Sequence, residues 1–128
     1  MAGDPAIETT VVGRCVVVRV SGEMDYVTVP FFWERFLEAL AGRDRFLVLD
    51  LSGVSFCDSA GLNVLLRAGR HARVSGVELV LACVPQHLRR ILGMTGADRF
   101  FRVRETVAEA EADLGGRGNA TLSPLECL

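Results

Sequence analysis

Apolar and polar positions along this chain follow two rhythms, and each change of rhythm marks an element. Val11 to Val20 is Val-rich and interrupted at Gly13-Arg14, which predicts a tight hairpin between two short strands. Gly22-Glu23-Met24-Asp25 then reads as a polar turn. Val29, Phe32, Trp33, Phe36, Leu37 and Leu40 recur at helical spacing, giving an amphipathic helix that ends near Gly42. Thr28 is placed as its N-cap, and Pro30 falls in the first turn, where no N–H is needed. Phe46 to Leu51 is almost continuously apolar, as expected of a strand covered on both faces. A second helix is predicted over about Ala60–Val74, with Leu62, Leu65, Leu66 and Gly69 on one stripe. Val77 to Cys83 reads as another buried strand. Pro85 opens a third helix stopped by Gly93, and Arg99 to Val103 is a short strand. Thr106-Val107-Ala108-Glu109 has the form of a capping box at the start of a last helix.

The predicted order is therefore β-β-α-β-α-β-α-β-α, an α/β fold. Strand-helix-strand alternation implies a mostly parallel sheet, with the opening hairpin adding antiparallel strands at one side. The 128 residues suffice for one domain, expected over residues 1–114 with its core at about 8–114, leaving residues 115–128 as a mobile tail. No internal repeat is visible.

Composition narrows the function classes. No apolar run reaches the eighteen or so residues of a membrane span, and the first ten residues lack the basic and apolar regions of a secretory signal. The formal net charge is −2, which argues against nucleic acid as the main partner. All fourteen basic residues are arginine, so lysine-based Schiff-base or phosphate-cradling chemistry is excluded. Cys15, Cys57, Cys83 and Cys127 form no C-x-x-C pair and do not cluster with His71 or His87, so neither a metal site nor a cofactor is indicated. Cys15 and Cys83 lie in apolar runs and read as small buried hydrophobes. Trp33 falls on the helical core stripe and reads as packing.

In open α/β sheets, function gathers where strands end and helices begin. Here the buried strand is expected to end at Leu51 and a short loop to follow from Ser52, with Asp58-Ser59 at the mouth of the second helix. A side-chain oxygen at that place caps an orphan helix N–H, whatever else it does. Gly61 lies one position inside the first turn, where it costs roughly 1 kcal/mol relative to alanine. It makes sense if another backbone approaches closely. Ser59, Asn63, Arg67 and Arg70 fall on one polar face, and a helix N-terminus tolerates added negative charge at Ser59.

The stretch Leu49-Asp50-Leu51-Ser52-Gly53-Val54-Ser55-Phe56-Cys57-Asp58-Ser59-Ala60-Gly61-Leu62 resembles the signature of STAS domains, the anti-sigma factor antagonists, roughly D-L-S-x-V-x-F-[ML]-D-S-[ST]-G-L. Gly22-Glu23-Met24-Asp25 is similar to the family's G-E-[LI]-D turn. Leu92-Gly93-Met94-Thr95-Gly96-Ala97 is similar to its third-helix ending. The resemblance implies the STAS fold and a cytoplasmic bacterial regulator of transcription that is not an enzyme and uses no cofactor. It further implies binding to an anti-sigma factor that is also a GHKL-type serine kinase, release by phosphorylation of Ser59, and resetting by a phosphatase. Glu23, Asp25, Asp58, Ser59, Gly61, Asn63 and Arg67 are then the expected partner-binding residues, with no metal site, no direct nucleic-acid or membrane contact, and a monomeric or weakly dimeric state.

Two positions depart from the family pattern. Ala60 replaces the usual Ser or Thr, leaving Ser59 as the one hydroxyl between Asp58 and Gly61. Cys57 stands where Met or Leu is usual and reads as an inward-packing hydrophobe, with a redox role as the alternative. A non-phosphorylated STAS scaffold, or a subunit of a signalling or transport complex, is the main rival reading. A hydrolase triad of Ser59, Asp58 and His87 is disfavoured, since no G-x-S-x-G elbow surrounds the serine. The loop Ser52-Gly53-Val54 has too few glycines to cradle a nucleotide's phosphates. The sequon at Asn119 reads as accidental.

Overall fold

The computed structural model describes residues 4–42 and 44–116. Five strands, β1 (Ala6–Val12), β2 (Cys15–Met24), β3 (Phe46–Cys57), β4 (Glu78–Ala82) and β5 (Arg102–Arg104), lie side by side in sequence order. β1 and β2 are antiparallel and every other pairing is parallel. The helices are α1 (Val29–Leu40), α2 (Ser59–Ser75), α3 (Gln86–Thr95) and α4 (Val107–Glu111), with a 3₁₀ turn at Ala97–Arg99 and a π turn at Ala112–Gly116. The order matches the one the hydrophobic pattern predicts.

Alternation along each strand feeds two layers. Val16, Val18, Val20, Leu47, Leu49, Leu51 and Leu81 pack under α1, α2 and α3. Cys15, Val17, Val48, Val80 and Ala82 face the other way, under Ala110 and Leu114. That double cover explains the unbroken apolar run at the start of β3. For α1, position is set by burial. Thr28 stands at its N-cap without a capping side-chain bond, whereas Phe32, Phe36 and Leu40 are buried. Roughly 1.5–3 kcal/mol for each such side chain outweighs the ~1 kcal/mol of a missing cap.

The hairpin forms as expected. Val12 pairs with Cys15, and a positive φ at Gly13 alone matches the II′ class of two-residue turn. Elsewhere the strands are longer than the pattern suggests. Gly22-Glu23-Met24 is not a turn but the end of β2, and Ser52 to Cys57 is not a loop but the second half of β3. Two irregularities conceal this continuation. Arg19 and Ser21 face Asp50 and Gly53, then Gly22 and Glu23 face Val54 and Phe56, so β3 takes an extra residue each time. At the first of these, a Cβ on Gly53 would lie 2.6 Å from the Ser21 Cβ.

Other boundaries also shift. α3 passes Gly93 and stops at Gly96, whose φ of +79° ends it in the left-handed conformation. Phe100 and Phe101 precede β5 rather than belonging to it. Cys83 is not a buried strand residue; it lies just past β4, half-buried, with φ of +56°. Thr106 caps α4 by accepting from Glu109 N–H at 3.0 Å, but Glu109 reaches the N–H of Glu105 rather than that of Thr106, closing only half of the expected box. Most of the predicted tail, residues 117–128, lies outside the described residues, Asn119 and Cys127 included.

Candidate functional site

The carboxyl ends of β2 and β3 meet at the N-terminus of α2. Glu23 faces Phe56 and Met24 faces Cys57 across the two strands. The Asp58 N–H then donates to the Met24 carbonyl at 3.2 Å, fixing the helix entrance to the end of β2. Asp58 is the N-cap: its Oδ1 accepts from the N–H groups of Ala60 at 2.9 Å and Gly61 at 3.0 Å. The cap is thus supplied by the aspartate, which leaves Ser59, the first helical residue, exposed and without a hydrogen bond from its hydroxyl among the described residues.

Gly61 faces inward. A Cβ there would lie 2.3 Å from the Met24 carbonyl oxygen and 2.9 Å from Cys57 Sγ. The close approach that its sequence position suggests is therefore made by this chain's own β2, and Gly61 touches no outside surface. Cys57 is likewise buried. Burial first, and the Asp58 carboxylate second, push its thiol up to about 12. A thiol held neutral in this way is a poor nucleophile, which removes the basis for a redox role.

Asp25 organises the neighbouring loop. Its Oδ1 accepts from the N–H groups of Val27 at 3.0 Å and Thr28 at 3.1 Å. The Thr28 hydroxyl accepts from Asp25 N–H at 2.9 Å and donates to the Glu23 carbonyl at 2.7 Å. Thr28 therefore closes this loop instead of capping the helix that follows. Glu23 itself is exposed on the rim.

The structure brings Glu23, Asp25, Asp58 and Ser59 to one end of the sheet, with exposed Asn63 one helical turn beyond Ser59. Arg67 is farther away, about 12 Å along the axis from Ser59 at 1.5 Å per residue. Its guanidinium stacks 4.1 Å from the Trp33 ring centroid, on the seam between α1 and α2. Trp33 is accordingly half-buried at that seam. His87 donates from Nε2 to the Val54 carbonyl at 3.3 Å, bracing α3 against β3 at the second irregularity.

Three exposed apolar side chains border the same end, and little in the linear pattern signals them. Tyr26 and Val27 are 82% and 79% exposed, and Phe56 is 47% exposed. Unbroken alternation would bury Phe56 beside Val54. The extra residue between them turns Phe56 outward and sends Cys57 inward. The hint available in sequence was apolar Tyr26-Val27 directly after the polar stretch that ends β2. A cleft of about 430 Å³ beside Arg73, Phe100 and Arg102 lies at the far end of α2, away from Ser59.

This geometry has known counterparts. Residues 6–110 match the STAS domain. The anti-sigma-F factor antagonist RsfB of Mycobacterium tuberculosis is 30% identical over 120 residues, which are 91% of this chain and 98% of that protein. The anti-sigma F factor antagonist of Paenibacillus polymyxa is 29% identical over 100 residues, covering 77% of this chain and 86% of its own. Among solved structures, an anti-sigma factor antagonist from Mycobacterium paratuberculosis superposes with a TM-score of 0.76 at 28% identity, over 88% of this chain and 95% of that one. The unphosphorylated form of SpoIIAA, at 23% identity, shares the fold with a TM-score of 0.71, over 87% and 97% of the two chains. With the match to the domain spanning nearly the whole described chain, and with these relatives, the chain belongs to the STAS domain family of anti-sigma factor antagonists.

Proposed function

We infer that this chain works by partner switching in the bacterial cytoplasm: it binds an anti-sigma factor of the GHKL serine-kinase type, and phosphorylation of Ser59 releases it. The observation that carries this reading is the division of labour at the α2 entrance. Asp58 does the capping, so the Ser59 hydroxyl stands exposed and can be modified without unmaking the helix.

The energetics favour a surface switch over a refolding one. A phosphate adds about −1.5 to −2 charge at a helix N-terminus, where the helix dipole opposes unfolding by negative charge. The two first-turn N–H groups nearest to it are already held by Asp58, so the new charge stays on the surface, beside Asp58 and on the rim that carries Glu23 and Asp25. Like charges forced together in an interface cost several kcal/mol. About 3 kcal/mol corresponds to roughly a hundredfold in affinity, enough to dissociate a complex. Asp25 holds the loop that presents Glu23, Tyr26 and Val27, while Asn63 extends the contact along α2. In this reading the chain performs no catalysis of its own, and a phosphatase restores the hydroxyl.

The test is incubation with a GHKL-type anti-sigma kinase and ATP, followed by mass mapping of the modified residue and titration of the variants. Modification at Ser59, tight binding by Ser59→Ala and binding about a hundredfold weaker by Ser59→Asp are expected. Equal affinity of the two variants would refute the switch.

A further inference from the structure

The two edges of the sheet are built differently. β5 is three residues long, and its Arg102 and Arg104 are both held by Asp113, at 3.1 and 3.0 Å. Short length and charge are ordinary protections of an edge strand. β1 has neither. It is seven residues long, Glu8 is its one charge, Ile7, Thr9, Thr10, Val11 and Val12 are β-branched, and Val11 is 72% exposed.

The hairpin fixes which backbone groups of β1 are open. In a two-residue turn the closing pair, here Val12 and Cys15, is hydrogen-bonded, and the pairing then alternates back along the strands. Val12, Thr10, Glu8 and Ala6 thus bond to β2, while the N–H and C=O groups of Ile7, Thr9 and Val11 point away from the sheet.

We propose that this edge pairs with β1 of a second copy of the chain, antiparallel about a two-fold axis through Thr9. In that register Ile7 faces Val11 of the second copy, Thr9 faces its own equivalent, and Glu8 faces Thr10. Apolar meets apolar, hydroxyl meets hydroxyl, and no like charges oppose each other. The three outward pairs each exchange two hydrogen bonds, six in all. Sliding by one step leaves four bonds, and in one direction also sets Glu8 against Glu8. The sequence of β1 is therefore self-complementary in one register, and the paired sheet would have ten strands. Val11, bared in the single chain, continues the row of Val16 and gains Ile7 of the second copy as a neighbour. An edge pair of this length buries less than a standard stable interface, so the dimer is weak and concentration-dependent. Ser59 lies at the end of β3, two strands in from this edge, so pairing leaves it accessible.

The test is hydrogen exchange and sedimentation of the full chain over a wide concentration range. The amides of Ile7, Thr9 and Val11 should gain protection as concentration rises, while those of Glu8, Thr10 and Val12 are protected throughout. Thr9→Pro removes a donor that β2 does not use, and Thr9→Glu sets two carboxylates face to face on the axis. Each should weaken self-association by about tenfold or more without changing the protection of Thr10 and Val12. A wild-type chain that stays monomeric at every concentration overturns the proposal. So do dimers that both variants preserve, and so does protection of Ile7, Thr9 and Val11 in the monomer, which would mean that another segment of the same chain covers the edge.

Discussion

Replacing Gly61 with alanine sets two effects of opposite sign against each other at the foundation of the site. In the first turn of a helix, alanine is favoured over glycine by about 1 kcal/mol. Against that, the new Cβ would lie 2.3 Å from the Met24 carbonyl oxygen, 2.8 Å from the Met24 Cβ and 2.9 Å from Cys57 Sγ. None of these can step aside cheaply. The Met24 carbonyl holds the Asp58 N–H, and Met24 and Cys57 are both buried and paired across β2 and β3. The helix start must back away instead. Overpacking of this kind costs typically 1–3 kcal/mol, and contact with fixed backbone places it near the upper figure. The net expectation is a loss of about 2 kcal/mol, or roughly 10 °C in Tm for a domain of this size. Urea unfolding followed by the fluorescence of Trp33 and by circular dichroism measures it. Gly76→Ala supplies the contrast: φ there is +76° and nothing lies within 4 Å, so only backbone strain of about 1 kcal/mol is incurred. A Gly61→Ala protein as stable as wild type, or more stable, would show that propensity outweighs the clash and that the α2 entrance is loosely packed.

Two further outcomes bear on the neighbours of Gly61. Cys57 keeps its proton to about pH 12 in the folded chain but loses it near 9.0 when unfolded, so its contribution to stability is complete below pH 9 and falls as pH rises towards 12. Cys57 adds about 1.4 kcal/mol per pH unit to the slope, which Cys57→Ala should remove, leaving the part due to Cys83, whose thiol burial also pushes up; equal slopes in both proteins would contradict the assigned burial. Phe56→Ala and Val27→Ala should each weaken binding to an anti-sigma kinase partner by about tenfold or more while changing stability by less than about 1 kcal/mol. Unchanged affinity in both variants, measured by calorimetric titration, would place the contact surface elsewhere.

The fold was legible because its main determinants are local. The spacing of Val29, Phe32, Phe36 and Leu40 specifies α1 by itself, and Gly13-Arg14 between valine runs specifies the hairpin. The unbroken apolar run at Phe46–Leu51 specifies a strand covered on both faces. What failed to show are features set by contact between distant segments. Gly22-Glu23-Met24 has the composition of a turn, yet it is held in β2 because Val54, Phe56 and Cys57 pair with it from thirty residues away. Gly93 looks like a helix stop, but the left-handed position is reached three residues later, at Gly96. Cys83 lies in a run that reads as strand to its end, whereas the chain turns sharply just past β4.

The same division holds for the candidate site, and it has a consequence for how such sites are read. Asp58 and Ser59 are found from sequence because capping is a local requirement, and Gly61 because a glycine in a first helical turn needs a reason. Whether each faces out or in is a different question, and it depends on register. Two residues inserted into β3 opposite β2 bear on it: the first carries Val54 into the core, and the second returns Cys57 to the side under α2, where its sulfur leaves no room for a Cβ on Gly61. An amphipathic count carried straight from Leu51 would bury Ser55 and turn Val54 away from the helices; the two extra residues then cancel, so Cys57 returns to the buried side and Phe56 to the surface. The irregularities in β3 are therefore felt at Val54, which they bring into the core and whose carbonyl accepts from His87, so the second half of β3 is pinned to α3 just before the exposed Ser59.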